Sequence, residues 1–102
     1  MAEKTVVKPR TGTKTEVARP PLYKVILLND DYTPREFVVM VLKAVFRMGE
    51  EKAAAVMLTA HRRGACVIAV YTRDVAETKA KEATELGKRN GFPLFFMTEP
   101  ET

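Results

Sequence analysis

The chain has 102 residues, 46% apolar and 29% charged, which is the make-up of one ordinary globular domain. Its single cysteine, Cys66, excludes an internal disulfide and suits a reducing compartment. No apolar run approaches the ~20 residues needed to cross a bilayer, and the lysine-bearing N-terminus has no apolar centre like that of a secretory signal, so a cytoplasmic protein away from membranes is expected.

Residues 1–21 hold Lys4, Lys8, Arg10, Lys14 and Arg19 against Glu3 and Glu16, so they carry +3 of the formal net charge of +4. The rest is nearly neutral and has no basic stripe, a poor electrostatic footprint for nucleic acid. This leading stretch has no sustained apolar period and closes on Pro20-Pro21. It reads as a disordered basic tail, with one folded domain spanning residues 22–102.

Tyr23 to Leu28 is a short, β-branched and aliphatic run bounded by turn residues, and it predicts a strand with Lys24 on a wet face. Asn29-Asp30-Asp31-Tyr32-Thr33-Pro34 follows. Thr33-Pro34-Arg35-Glu36 has the pattern of a capping box, with Thr33 as N-cap and Pro34 at the first helical position. Two carboxylates and an amide therefore stand at a strand-to-helix junction, either as a solvated turn or as a rigid anionic site for a cation.

Glu36 to Met48 predicts a helix, because Phe37, Val41 and Val45, and Val38, Leu42 and Phe46, recur at four-residue spacing. Gly49 is expected to close it in a left-handed conformation. Glu50 to Arg63 predicts a second helix, acidic at its start and basic at its end, with Gly64 just beyond. Met57 and His61 lie one turn apart on it, at the edge of an apolar stripe. Ala65 to Tyr71 is apolar on both faces and reads as a central strand. Thr72 to Asn90 predicts the longest helix, with Ala76, Ala80, Ala83 and Leu86 facing inward and Glu77–Lys81 and Glu85–Arg89 pairs facing out. Leu94 to Thr98 is a last strand.

The order β-α-α-β-α-β predicts an α+β fold: a two-layer sandwich in which three helices cover a three-stranded antiparallel sheet. Little in it suggests catalysis. His61 is the only histidine and is separated from Cys66 by a helix end, so the pair does not resemble a nucleophile and base. One histidine, one cysteine and scattered carboxylates make no zinc set. No phosphate-binding glycine loop is present. No catalytic residue, metal or cofactor is expected. Neighbouring carboxylates such as Asp30 and Asp31 diverge in a turn, which disfavours a shared acid–base site. What remains is a binding site made from the Asn29–Thr33 turn, His61 and the apolar side chains of the two helices.

Three stretches resemble one family: Tyr23-Lys-Val-Ile-Leu-Leu-Asn-Asp-Asp-Tyr-Thr-Pro34, Met57-Leu-Thr-Ala-His61 and Val75-Ala-Glu-Thr-Lys79. Together they look like the ClpS adaptors of the bacterial ATP-dependent Clp protease, over roughly residues 21–98. The resemblance implies a non-enzymatic, monomeric receptor for N-degrons, whose exposed first residue is typically Leu, Phe, Tyr or Trp. It also implies delivery of the captured substrate to the N-terminal domain of the AAA+ unfoldase ClpA, for degradation by the ClpP peptidase. By the same resemblance Asn29, Asp31 and His61 hold the substrate α-amino group, with Asp30 in support. Thr33, Pro34, Arg35, Val38, Met57, Ala60 and Leu94 form the pocket wall and rim, Asp74 and Lys79 contact the unfoldase, and the tail acts in delivery. Two positions depart from the usual pattern: Arg35 stands where methionine is common and Ala60 where valine is common. The competing reading, from the basic tail alone, is a small ribosome- or RNA-associated domain.

Overall fold

The computed structural model describes residues 19–102; the tail expected over residues 1–21 therefore lies almost wholly outside the described residues. The elements run β1 (Leu22–Leu28), α1 (Arg35–Phe46), α2 (Glu50–Arg63), β2 (Ala65–Thr72), α3 (Arg73–Arg89) and β3 (Phe95–Pro100). The strands form one antiparallel sheet in the order β2-β1-β3, so the α+β sandwich read from the element order is the observed architecture.

Alternation along the strands sorts the two faces of the sheet. Val25, Leu27 and Phe96 join Val38, Val41, Leu42 and Phe46 of α1, Ala53 and Ala60 of α2, and Ala76, Ala80 and Ala83 of α3 in one core. The three inward alanines of α3 let that helix lie close against the sheet, as small residues do. On the other face Leu22, Val67, Val70, Phe95 and Met97 stay exposed. Ile26 on that face is only 7% exposed, because Val67 and Met97 sit directly opposite it on either side.

The strand read as central is an edge. β2 is apolar on both faces because the open face of the sheet is itself apolar, not because β2 lies inside. β1 occupies the middle despite Lys24, whose ammonium remains on the open face, 3.9 Å from Glu99 of β3. An irregular step in the β1–β2 register at Val25/Ile26 leaves one extra residue on β2.

The end of α1 also differs from the expectation. Arg47, not Gly49, takes the left-handed conformation (φ 59°), and the Met48 N–H reaches back to the Leu42 carbonyl at 3.3 Å. Gly49 has φ −73° and leads into α2. At the other two helix ends Gly64 (φ 90°) and Gly91 (φ 82°) are left-handed, in keeping with the sequence pattern. The expected Glu77–Lys81 pair is replaced by Arg73–Glu77 (3.1 Å), and among the described residues Glu85 and Arg89 do not close to salt-bridge distance.

Candidate functional site

β1 runs straight into the Asn29–Pro34 turn, and one backbone bond fixes where that turn lies: the Asn29 N–H donates to the Gly64 carbonyl at 3.0 Å. Gly64 closes α2 three residues after His61. The end of β1 and the last turn of α2 are thereby held side by side, and residues 29 and 61, distant in sequence, come to share a cleft.

Within the turn the two carboxylates separate, as adjacent turn residues should. Asp30 folds back on the chain. Its Oδ1 accepts the N–H groups of Tyr32 (2.9 Å) and Thr33 (2.8 Å), and the Thr33 hydroxyl donates to Oδ2 at 2.8 Å. Thr33 is only 8% exposed, so this is an enclosed knot of local bonds. The expected capping box is absent. The helix begins at Arg35, Pro34 is the extended flanking residue (φ −60°, ψ 142°), and no side chain caps it. Thr33 does not cap because the helix starts one residue later than the pattern implies, which puts Pro34 in the capping position and Thr33 before it. The Phe37 and Val38 N–H groups both use the Pro34 carbonyl instead, at 3.0 and 3.1 Å. Asp31 is left exposed, facing the cleft.

The cleft has a volume of about 330 Å³, at the low end of the range for small-ligand sites. Its lining brings together Asn29, Asp30, Asp31, Thr33, Pro34 and Arg35 from the turn and start of α1, Val38 from α1, Met57, Ala60 and His61 from α2, and Leu94 ahead of β3. Leu27 and Leu28 complete it, two residues whose letters do not distinguish them from the rest of the strand core.

Tertiary packing places the apolar wall. Leu94 is 3% exposed and lies before β3 rather than in it, since that strand starts at Phe95. It approaches α3 so closely that a Cβ on Gly87 would lie 3.0 Å from the Leu94 Cβ. The Phe92 N–H bonds to the Gly87 carbonyl at 2.9 Å, and the Phe92 ring tilts against Phe37 of α1 with centroids 4.7 Å apart. These contacts pin the loop that carries Leu94 onto the start of α1. Gly87 is not recognisable from the sequence as a site-supporting residue, because a glycine near a helix end looks like fraying.

The arrangement offers acceptors (the Asn29 amide oxygen, Asp31 and a His61 ring nitrogen) at one end and an apolar wall at the other. That combination suits a ligand carrying a cationic amine beside an apolar group. It does not suit bond cleavage by a cysteine. Burial pushes the Cys66 thiol up, with Arg63 pulling the other way, and Cys66 does not line the cleft. No group of three or more metal-binding side chains occurs among the described residues, nor is any described helix long and apolar enough to cross a membrane.

Asp74 and Lys79 lie away from the cleft on α3. Asp74 is exposed in its first turn. Lys79 is half-buried, and its ammonium donates to the Val45 carbonyl at 2.9 Å, near the C-terminal end of α1. That bond satisfies a helix-end carbonyl and complements the helix dipole. Five residues apart, the two side chains leave the helix about 140° from one another.

Fold and cleft together define a small ligand-binding domain with a polar end and an apolar wall. The family described as "ATP-dependent Clp protease adaptor protein ClpS" matches residues 18–97. The chain is 68% identical over 96 residues to ATP-dependent Clp protease adapter protein ClpS 1 of Bradyrhizobium diazoefficiens, covering 94% of this chain and 95% of that one. It is 65% identical over 95 residues to ClpS 2 of Agrobacterium fabrum, covering 93% and 92%. A solved structure of Agrobacterium tumefaciens ClpS2 bound to L-phenylalaninamide superposes with a TM-score of 0.80 at 71% identity, over 81% of this chain and all of that one. The chain belongs to the ClpS family of Clp protease adaptors, and the family's role is that of an adaptor, not of an enzyme.

Proposed function

We propose that this adaptor captures proteins by their N-terminal residue and passes them to the ClpA unfoldase of the ClpAP protease. The supporting observation is the pairing, in one cleft, of amine acceptors with an apolar wall. L-Phenylalaninamide, bound by the Agrobacterium relative, has the matching chemistry. Its free α-amine and benzyl group are those of a chain beginning with Phe, and its carboxamide stands in for the first peptide bond.

In this reading Asn29, Asp31 and His61 hold the α-amino group. An α-amine has a pKa of about 7.7–8.0, so it is mostly cationic at neutral pH and presents three donors. A neutral imidazole accepts one of them; an imidazolium would repel the ligand. Asp30 supports the clamp by locking the turn. Val38, Met57, Ala60 and Leu94 receive the first side chain, with Thr33, Pro34 and Arg35 at the rim. Each charge-assisted bond contributes roughly 1.5–3 kcal/mol, and a buried Leu or Phe side chain about 1.5–3 kcal/mol. Terms of similar size mean that both amine and side chain are required. Ala60 in place of a larger residue deepens the floor, so bulky aromatic first residues are accepted at least as well as Leu.

The experiment is a fluorescence titration of peptides that differ only at residue one, each with a free and an acetylated N-terminus. Acetylation should abolish binding; equal affinity for the two forms would overturn the reading, and a clear Leu preference would overturn the part assigned to Ala60. For delivery, Asp74 and Lys79 contact the N-terminal domain of ClpA, the leading tail acts in hand-over, and the adaptor works as a cytoplasmic monomer. Deleting residues 1–20 should then spare peptide binding and impair degradation in a reconstituted ClpAP assay; an undiminished rate would remove the tail from the mechanism.

A further inference from the structure

Arg35 is the one strongly cationic side chain in the lining of the cleft. It stands at the first helical position of α1, exposed, and among the described residues no carboxylate pairs with it. The other charges nearby are already engaged or point elsewhere. Asp30 has both oxygens engaged by Tyr32 and Thr33. Glu36, about 100° further round the helix, lines a separate groove with Val39, Met40, Lys43 and Glu50. On the amine-clamp reading above, on which this inference rests, the ligand ammonium neutralises Asp31. With an N-terminus seated, Asp30 and Arg35 remain as charges of opposite sign, but Asp30 is turned back into its local knot of bonds, so the exposed, unpaired charge at the rim is that of Arg35. Arg62 and Arg63, exposed at the end of α2 but outside the lining, add the same sign at longer range.

The chain that follows a captured first residue must leave across this rim. We propose that Arg35 makes the adaptor discriminate among N-degrons by the charge behind their first residue, favouring an acidic side chain at the second or third position over a neutral one, and a neutral one over a basic one. The guanidinium is well shaped for this. Its planar fork meets a carboxylate with two parallel N–H···O bonds, while its stem packs along an apolar rim. An uncharged residue at this position cannot form that pair and leaves only the weaker, longer-range fields of the neighbouring charges. The pair forms at an exposed site, so the effect is modest, about threefold to tenfold between acidic and basic peptides at low ionic strength, and it fades as salt screens the rim.

The test uses the full chain and labelled peptides that all begin with Phe and carry Glu, Ala or Lys at position two or at position three. Affinities are measured by fluorescence anisotropy at low and at ~0.5 M salt for the native protein, Arg35→Met and Arg35→Glu. The ranking Glu, Ala, Lys is expected for the native protein at one or both positions, flattened in Arg35→Met, reversed in Arg35→Glu and compressed by salt. Native affinities indifferent to charge at both positions, or a ranking that persists unchanged in Arg35→Met, would overturn the proposal. Acetylated versions separate the two levels. Amine-dependent binding without charge ranking sinks only the role of Arg35, whereas equal binding of acetylated peptides sinks the clamp and this inference with it.

Discussion

The two halves of the cleft are built by different means. The polar end comes from one hexapeptide and a single histidine, and its shape is set by bonds that span two or three residues: Asp30 to Tyr32 and Thr33. The apolar wall takes Val38 from α1, Met57 and Ala60 from α2, and Leu94 from the loop before β3. It exists only because Gly87 admits Leu94 and Phe92 leans on Phe37. A locally built end can change its chemistry without loosening the fold. A wall assembled from three segments cannot, so binding and stability should separate at one end and move together at the other.

The largest effect should come from the polar end. Asp31→Ala removes an exposed carboxylate that makes no side-chain bond among the described residues. It should weaken a Phe-initiated peptide by about 10- to 100-fold, the factor expected for one charge-assisted bond, with the melting temperature unchanged. Anisotropy and a thermal melt on the same samples check both halves of that statement; a drop in melting temperature that accounts for the lost binding would erase the contrast. The wall supplies the opposite signature. Gly87→Val should drive Leu94 away from α3, costing roughly 1–3 kcal/mol as overpacking does and lowering aromatic affinity in the same variant. Full stability with weakened binding would show that Leu94 is not held by α3.

The polar end is also the more legible half, though not for the reason the letters suggest. Asn29, Asp30 and Asp31 stand out as turn residues, and the helix after them is plain from the spacing of Val38, Leu42 and Phe46. Thr33 looks like a cap because nothing in the letters says that Pro34 stays extended and the helix starts only at Arg35. The nearness of His61 to Asn29 depends on the bond from the Asn29 N–H to the Gly64 carbonyl, a contact between segments that composition does not encode. The same limit explains the strand order. β2 reads as interior by its apolar letters, yet sheet position is a matter of pairing, and an open apolar face makes an edge strand look central. Leu94 can be placed at the site by resemblance but not by periodicity. Gly87, which decides where Leu94 sits, offers no signal.

Asp30 tests how far the division between the halves holds. Asp30→Ala deletes the acceptor of the Tyr32 and Thr33 N–H groups and of the Thr33 hydroxyl. A loss of about 1–2 kcal/mol is expected, with a smaller fall in peptide affinity than Asp31→Ala produces. Asp30→Asn keeps one oxygen and should recover part of the stability. If Asp30→Ala instead abolished binding with the melt unchanged, Asp30 would belong to the clamp itself and not to its support.

The smallest effect concerns a residue outside both halves. The proposed function makes Lys79 an unfoldase contact, but its ammonium already donates to the Val45 carbonyl at 2.9 Å. Lys79→Met keeps most of the stem and removes that bond, so a cost of about 0.5–1.5 kcal/mol is expected with peptide binding intact. The two roles predict different readouts. A purely structural lysine would change the melting temperature and leave affinity for the isolated ClpA N-terminal domain alone. A contact residue would weaken that affinity by more than the loss of folded protein explains. Asp74→Asn is the control, because Asp74 is exposed and holds no side-chain bond among the described residues. If Asp74→Asn weakens the unfoldase and Lys79→Met only softens the melt, the contact surface is the start of α3, and Lys79 serves it by fixing that helix to the end of α1.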